Sequence, residues 1–134
     1  MVNITRAGSN VQPFLLFFDA YSNSGRALLG PDAWVGVSAH GPGEIDPEGG
    51  ASYAHLAPIH APLSKEATRA PLGTDALRRA ARRGLPVIAQ GGLQASNARA
   101  AIEAGAAGIA VTGAILHADD PARAARALRE ALDA

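Results

Sequence analysis

The sequence predicts an α/β fold with a parallel sheet, on three observations. From Ala33 onward, short runs rich in Val, Ile and Ala alternate with helical patterns. The apolar runs are almost continuous, which suits strands buried on both faces. Glycine recurs where strand gives way to helix, as in "PVIAQGG" and "GIAVTGAI".

The elements follow in order. "MVNITRAGSN" is polar and weakly patterned. "VQPFLLFF" reads as a strand whose start Pro13 weakens, and "DAYSNSG" reads as a turn. The first 30 residues therefore form a divergent N-terminal segment with no βα unit, and residues 31–134 carry the pattern. "WVGVSAH" (Trp34 to His40) is the first clear strand. Pro42 to Gly50 is glycine-rich and holds at most one helical turn. "SYAHLAPI" (Ser52 to Ile59) is the second strand, and "TDALRRAARRG" is a helix capped by Thr74 and closed at Gly84. "PVIAQGG" is the third strand. "SNARAAIEAG" is a helix that opens at Ser96 or Asn97 and ends at Gly105. "GIAVTGAI" (Gly108 to Ile115) is the fourth strand. "DDPARAARALREALDA" starts from Asp119 or Asp120, with Pro121 in its first turn and an apolar stripe of Ala125, Leu128 and Leu132. Two architectures share this alternation: the open doubly wound sheet and the (β/α)8 barrel. A complete barrel needs about 200–250 residues, so four strands with their helices amount to half of one.

Composition narrows the function. The 134 residues suffice for one domain, and 48% are apolar, which is globular composition. Formal net charge is zero, so neither nucleic acid nor an anionic membrane is an expected partner. Cysteine is absent, which excludes disulfides and thiolate metal sites. There is no apolar run of membrane-spanning length and no secretory signal pattern, so the expected location is the cytoplasm.

Ligands of parallel α/β sheets bind beyond the C-terminal strand ends. Here those ends carry Ser38-Ala39-His40, the loop after Ile59, Gln90-Gly91-Gly92, and Thr112-Gly113-Ala114. Glycines without a Cβ let an oxyanion approach main-chain N–H groups. Late barrel strands often form such a phosphate site, completed by a short helix. Gly91 and Gly92, with Thr112 and Gly113, are the candidate phosphate binders, against the plainer reading that they only make tight turns. The loop "HAPLSKEATRAPLG" holds 14 residues without periodicity, and long loops of this kind tend to be functional or disordered. It contains Lys65, the only lysine, beside Ser64. A hydroxyl next to a cation suits a departing pyrophosphate, while composition alone would suit a solvated loop. His40 and His60 stand at strand ends and are the acid–base candidates. His55 lies within a strand and reads as a packed core residue. No histidine pair has metal-ligand spacing on a helix, so no metal residues are assigned.

Five pieces, in order and at fitting spacings, resemble the C-terminal half of the thiamine phosphate synthase / TenI family. They are "GRALLGPDAWVGVSAHG", "GGASYAHLAPI", "APLSKEATRAPLG", "PVIAQGGL" and "AGAAGIAVTGAI". The family patterns they resemble are Gly-Val-Ser-x-His, Gly-Ala-Asp-Tyr leading to Gly-Pro-Ile, Pro-Thr-x-Thr-Lys, Pro-Val-x-Ala-x-Gly-Gly-Ile and Ala-Gly-Ala-x-Gly-Val-Ala-Val-x-Ser-Ala-Ile.

The resemblance implies half of a (β/α)8 TIM barrel, about four parallel strands with flanking helices. It implies a transferase of thiamine biosynthesis that joins hydroxymethylpyrimidine diphosphate to thiazole phosphate and releases pyrophosphate, with magnesium. Gly92 and the Thr112–Gly113 backbone would then hold the thiazole phosphate, and Ser38, Ser64 and Lys65 the pyrophosphate. The sequence also departs from the family. Pro62 replaces the first loop threonine, Gly113 replaces the late-strand serine, and Pro58 stands where the tautomerase branch has its histidine. His60 lies two residues further on. The magnesium aspartates of the family come from the N-terminal half-barrel, and no residues of this chain are assigned to them. The sequence therefore reads as a truncated synthase-like chain. The alternatives are a TenI-like thiazole tautomerase or a non-catalytic thiazole-phosphate-binding module. A homodimer or a complementing half-barrel would cover the open sheet edges.

Overall fold

A computed structural model describes residues 2–3, 16–18, 22–61, 63 and 69–134. Among these residues six strands form one sheet in the order β1-β6-β5-β4-β3-β2. They are β1 (Val2–Asn3), β2 (Leu16–Phe18), β3 (Val35–Ala39), β4 (Tyr53–Leu56), β5 (Val87–Gln90) and β6 (Gly108–Val111). Strands β2 to β6 are parallel, and β1 pairs antiparallel with β6. The helices are α1 (Ser22–Leu29), α2 (Gly73–Ala81), α3 (Ala95–Glu103), α4 (Gly113–Leu116) and α5 (Pro121–Asp133), with one 3-10 turn at Pro42–Glu44.

The four expected parallel strands are all present, in sequence order. A fifth lies beside them, because β2 and α1 form a βα unit inside the first 30 residues and β2 pairs parallel with β3. The turn reading of "DAYSNSG" was therefore wrong from Ser22 onward. Ser, Asn and Gly signal turns by their local bonding, but here they open a helix whose last turn carries Arg26. Helix α2 also differs from expectation. It begins at Gly73, Leu72 holds the cap position, and no side chain caps it, so Thr74 lies inside the helix. Helix α3 begins at Ala95, one residue before the earlier of its two expected starts. Helix α5 starts as the sequence implies: the Asp120 carboxylate accepts from the Arg123 N–H at 2.9 Å, with Pro121 in the first turn.

Side-chain alternation gives the sheet two unlike faces. On the outer face Val37, Ala39, Ala54, Leu56, Val87, Ala89, Ile109 and Val111 join one core with Leu77, Ala98, Ala101 and Leu128 from the helices. Alanine supplies much of the helix side of that core, so helices and sheet can approach closely. On the inner face the paired positions Ser38, His55, Ile88 and Gly108 form one row, and Gln90 pairs with Ala110 in the next. Tyr53 precedes that row on β4. Its ring centroid lies 5.6 Å from that of His55 and 6.5 Å from that of the exposed Trp34. Gly36 makes room for this ring, since a methyl group there would stand 2.6 Å from the Tyr53 hydroxyl.

Candidate functional site

A cavity of about 190 Å³ lies at the C-terminal ends of β4, β5 and β6. That is far more space than one water needs. Its walls include Gly91 and Gly92 after β5, and Thr112, Gly113 and Ala114 after β6. His40, Pro58, Leu63, Arg69 and Gln90 complete the polar and loop side. The two turns singled out in the sequence thus share one cavity, as parallel β5 and β6 place them side by side.

The glycine pair has a local cause as well. Gly91 and Gly92 have φ of +94° and +62°, a region that favours glycine. A methyl group on Gly91 would stand 2.8 Å from Pro58 Cα, and one on Gly92 would overlap the Ala61 carbonyl and lie 2.7 Å from His60 Cβ. The chain after β4 crosses here and is tied down by Ile59 N–H donating to the Gln90 carbonyl (2.8 Å) and His60 N–H to the Gly91 carbonyl (3.0 Å). The space left by the missing side chains is therefore filled by residues 58–61. Glycine at these positions follows from that crossing, and it is the convergence on the cavity that points to a ligand.

Asn97 fixes the next turn. Its amide nitrogen donates to the Gly92 carbonyl (3.0 Å), and its oxygen accepts from the Gln94 N–H (2.9 Å). Both glycine carbonyls are thus occupied by the protein. Beyond β6, Gly113 and Ala114 open the single turn α4, whose first N–H groups have no intrahelical acceptor.

The other expected residues divide. His40 lines the cavity, is exposed, and takes Glu44 as neighbour: the Glu44 carboxylate accepts from the His40 N–H at 2.9 Å and lies 3.7 Å from Nδ1. His60 does not line it. Strand β4 stops at Leu56, so strand alternation does not carry His60 onto the inner face, and its Nε2 is buried without a partner among the described residues. Ser38 is half-buried on the inner face and lies outside the lining. Ser64 and Lys65 lie outside the described residues, as does Pro62. Arg69 and Gln90 enter the lining although neither was assigned there. Arg69 belongs to the same long loop as Lys65, which was the available signal.

Gln90 gains a partner that the pattern did not reveal. Its Oε1 lies 3.0 Å from Nδ1 of His55, which donates to it. His55 is 2% exposed, and burial holds its imidazole below the usual histidine value, with the Gln90 bond pulling the other way. Burial also raises the Tyr53 phenol, whose hydroxyl has no partner among the described residues. Among the described residues no group of three His, Cys, Asp or Glu side chains could hold a metal ion. No helix among them is long and apolar enough to cross a membrane.

The sequence profile described as thiamine monophosphate synthase matches residues 19–115. The thiamine-phosphate synthase of Geobacillus kaustophilus is 43% identical over 107 residues, covering 77% of this chain and 48% of that protein. The thiamine-phosphate synthase of Chloroflexus aurantiacus is 41% identical over 107 residues, covering 78% and 49%. This chain thus spans about half the length of the curated relatives it matches. Among solved structures, thiamine phosphate pyrophosphorylase from Pyrococcus furiosus superposes with a TM-score of 0.74 at 24% identity, over 89% of this chain and 59% of that one. The fold is thus half of a (β/α)8 barrel, and the match over residues 19–115 shows that the chain belongs to the thiamine monophosphate synthase family.

Proposed function

We propose that this chain carries the thiazole-phosphate half of a thiamine phosphate synthase site. In the reaction, the bond from the pyrimidine methylene carbon to the pyrophosphate oxygen breaks, and pyrophosphate leaves with the electron pair. The thiazole nitrogen then forms the new bond to that carbon. The protein's task in such a displacement is to position the nucleophile and stabilise leaving-group charge. The backbone N–H groups of Gly92 and Gly113, with the Thr112 hydroxyl, would hold the thiazole phosphate, and Arg69 would offset its charge. Ser38, Ser64 and Lys65 would face the pyrophosphate. The single observation that carries this reading is the convergence of the β5 and β6 turns on one cavity.

Magnesium, which the family implies, does not fit the described residues, because no acidic or histidine cluster among them could hold it. A second reading is a non-catalytic module for the same phosphate. It is favoured by Ser38, which stands outside the cavity that the phosphate turns form. The tautomerase reading has Pro58 in the cavity where that branch has its histidine, with His60 turned elsewhere.

Calorimetric titration of the purified chain with thiazole phosphate tests the shared core of both readings. Saturable binding is expected, and no detectable heat with no competition by inorganic phosphate would overturn them. A coupling assay with both substrates and magnesium then separates enzyme from module.

A further inference from the structure

Gln90 has chemistry that the phosphate turns leave unused. It lines the cavity from the inner face of β5, half-buried. Its carbonyl oxygen is held by the Nδ1–H of His55, a side chain fixed in the middle of β4. The acceptor end of the amide is thereby committed to the protein. Its nitrogen has two donors and no acceptor among the described residues. A wall residue alone would need no amide, and the nitrogen is accessible to a ligand rather than sealed in the core.

The direction of the amide adds a second constraint. Phosphate would sit at the turns beyond the strand ends, at Gly92 and Gly113. The Gln90 head leans the other way, over the inner face towards His55. We propose that Gln90 is a specificity-determining residue that donates a hydrogen bond to an acceptor atom on the heteroaromatic body of a phosphorylated ligand, with His55 as its positioning residue. The ligand class is a phosphate monoester carrying a ring acceptor. This inference rests on the phosphate reading above and adds what recognises the rest of the molecule.

Titrations of the full chain with thiazole phosphate, and separately with inorganic phosphate, test it. Gln90→Met keeps length and removes the donors. It should weaken thiazole phosphate by about tenfold, the worth of one net hydrogen bond, and leave inorganic phosphate unchanged. Gln90→Leu, which also removes both donors and adds no charge, serves if the methionine variant does not fold, and it should also weaken thiazole phosphate and spare inorganic phosphate. His55→Asn should weaken thiazole phosphate in the wild-type background and add nothing in the Gln90→Met background, because its effect runs through Gln90. Equal affinity of wild type and the Gln90 variants for thiazole phosphate overturns the inference and leaves the phosphate reading standing. So does an equal loss for both probes in Gln90→Met. Wild type that binds neither probe overturns both.

Discussion

The two ends of the sheet solve opposite problems. At the N-terminal end, Arg26 of α1 gathers the carbonyls of the surrounding loops. Its guanidinium donates to the carbonyls of Gly30, Pro31, Ala33 and Gly50 and to the Ser52 hydroxyl, at 2.5 to 3.1 Å. Ser52 in turn accepts from the Val35 N–H at 3.1 Å, so one arginine ties α1 to the starts of β3 and β4. Arg83 does the same on a smaller scale, donating to the Ile45 carbonyl at 3.1 Å. At the C-terminal end, protein groups take the glycine carbonyls, and the two glycine turns line a cavity. In barrels the first end serves stability and the second serves ligands. In this chain the two ends differ in the same sense: one is tied down by its own arginines, and the other is left with a cavity.

Either end can be perturbed separately. The largest effect is expected at Gly92, where a side chain meets both the positive φ and the backbone of residues 60–61. Gly92→Ala should cost about 2–4 kcal/mol in denaturant unfolding and abolish ligand binding. A mild effect on both would mean that the loop crossing is slack. Arg26→Ala should cost a similar or slightly smaller amount, about 2–3 kcal/mol, because it strands several partly buried carbonyls. Its affinity for thiazole phosphate should stay within twofold of wild type. Loss of affinity at unchanged stability would erase the distinction between the ends.

A pH series sharpens the comparison on the inner face. Burial lowers the His55 pKa, so the unfolded chain takes up its proton near the ordinary value of 6.5 and the folded chain only at lower pH. The His55 contribution is complete above 6.5 and is lost as pH falls from there through the lower folded value. Urea midpoints should therefore drop between pH 7.5 and 5.5, and the drop should be smaller in His55→Asn. Parallel pH curves for the two proteins would contradict the burial argument. The smallest effect is expected at the Asp120 cap, remote from both ends. Asp120→Ala should cost about 1 kcal/mol and leave affinity unchanged.

Much of the fold was legible because its signals are local and repeated. Continuous runs such as Val87 to Ala89 and the capped, Pro-started α5 state their structure within a few residues. Ser22 to Gly25 misled because their short polar side chains suit turns, and only the packing of α1 against β3 and the reach of Arg26 make them a helix. The cavity walls were legible as two glycine turns and one long loop. The cause of the glycines was not, since nothing near Gly91 announces that residues 58–61 will cross it. The same holds for Gln90, whose partner His55 lies 35 positions away on the neighbouring strand. His60 shows the converse error: counting two residues from Pro58 assumes a strand that ends at Leu56.

The central claim is that the turns after β5 and β6 form one phosphate-holding site. Backbone amide shifts of the ¹⁵N-labelled chain, followed through a titration with thiazole phosphate, test it most directly. Saturable shifts are expected, concentrated at Gly91 to Leu93 and Thr112 to Ala114, with the same amides moving when inorganic phosphate is added. Shifts confined to other parts of the sheet, or none at all, would contradict it.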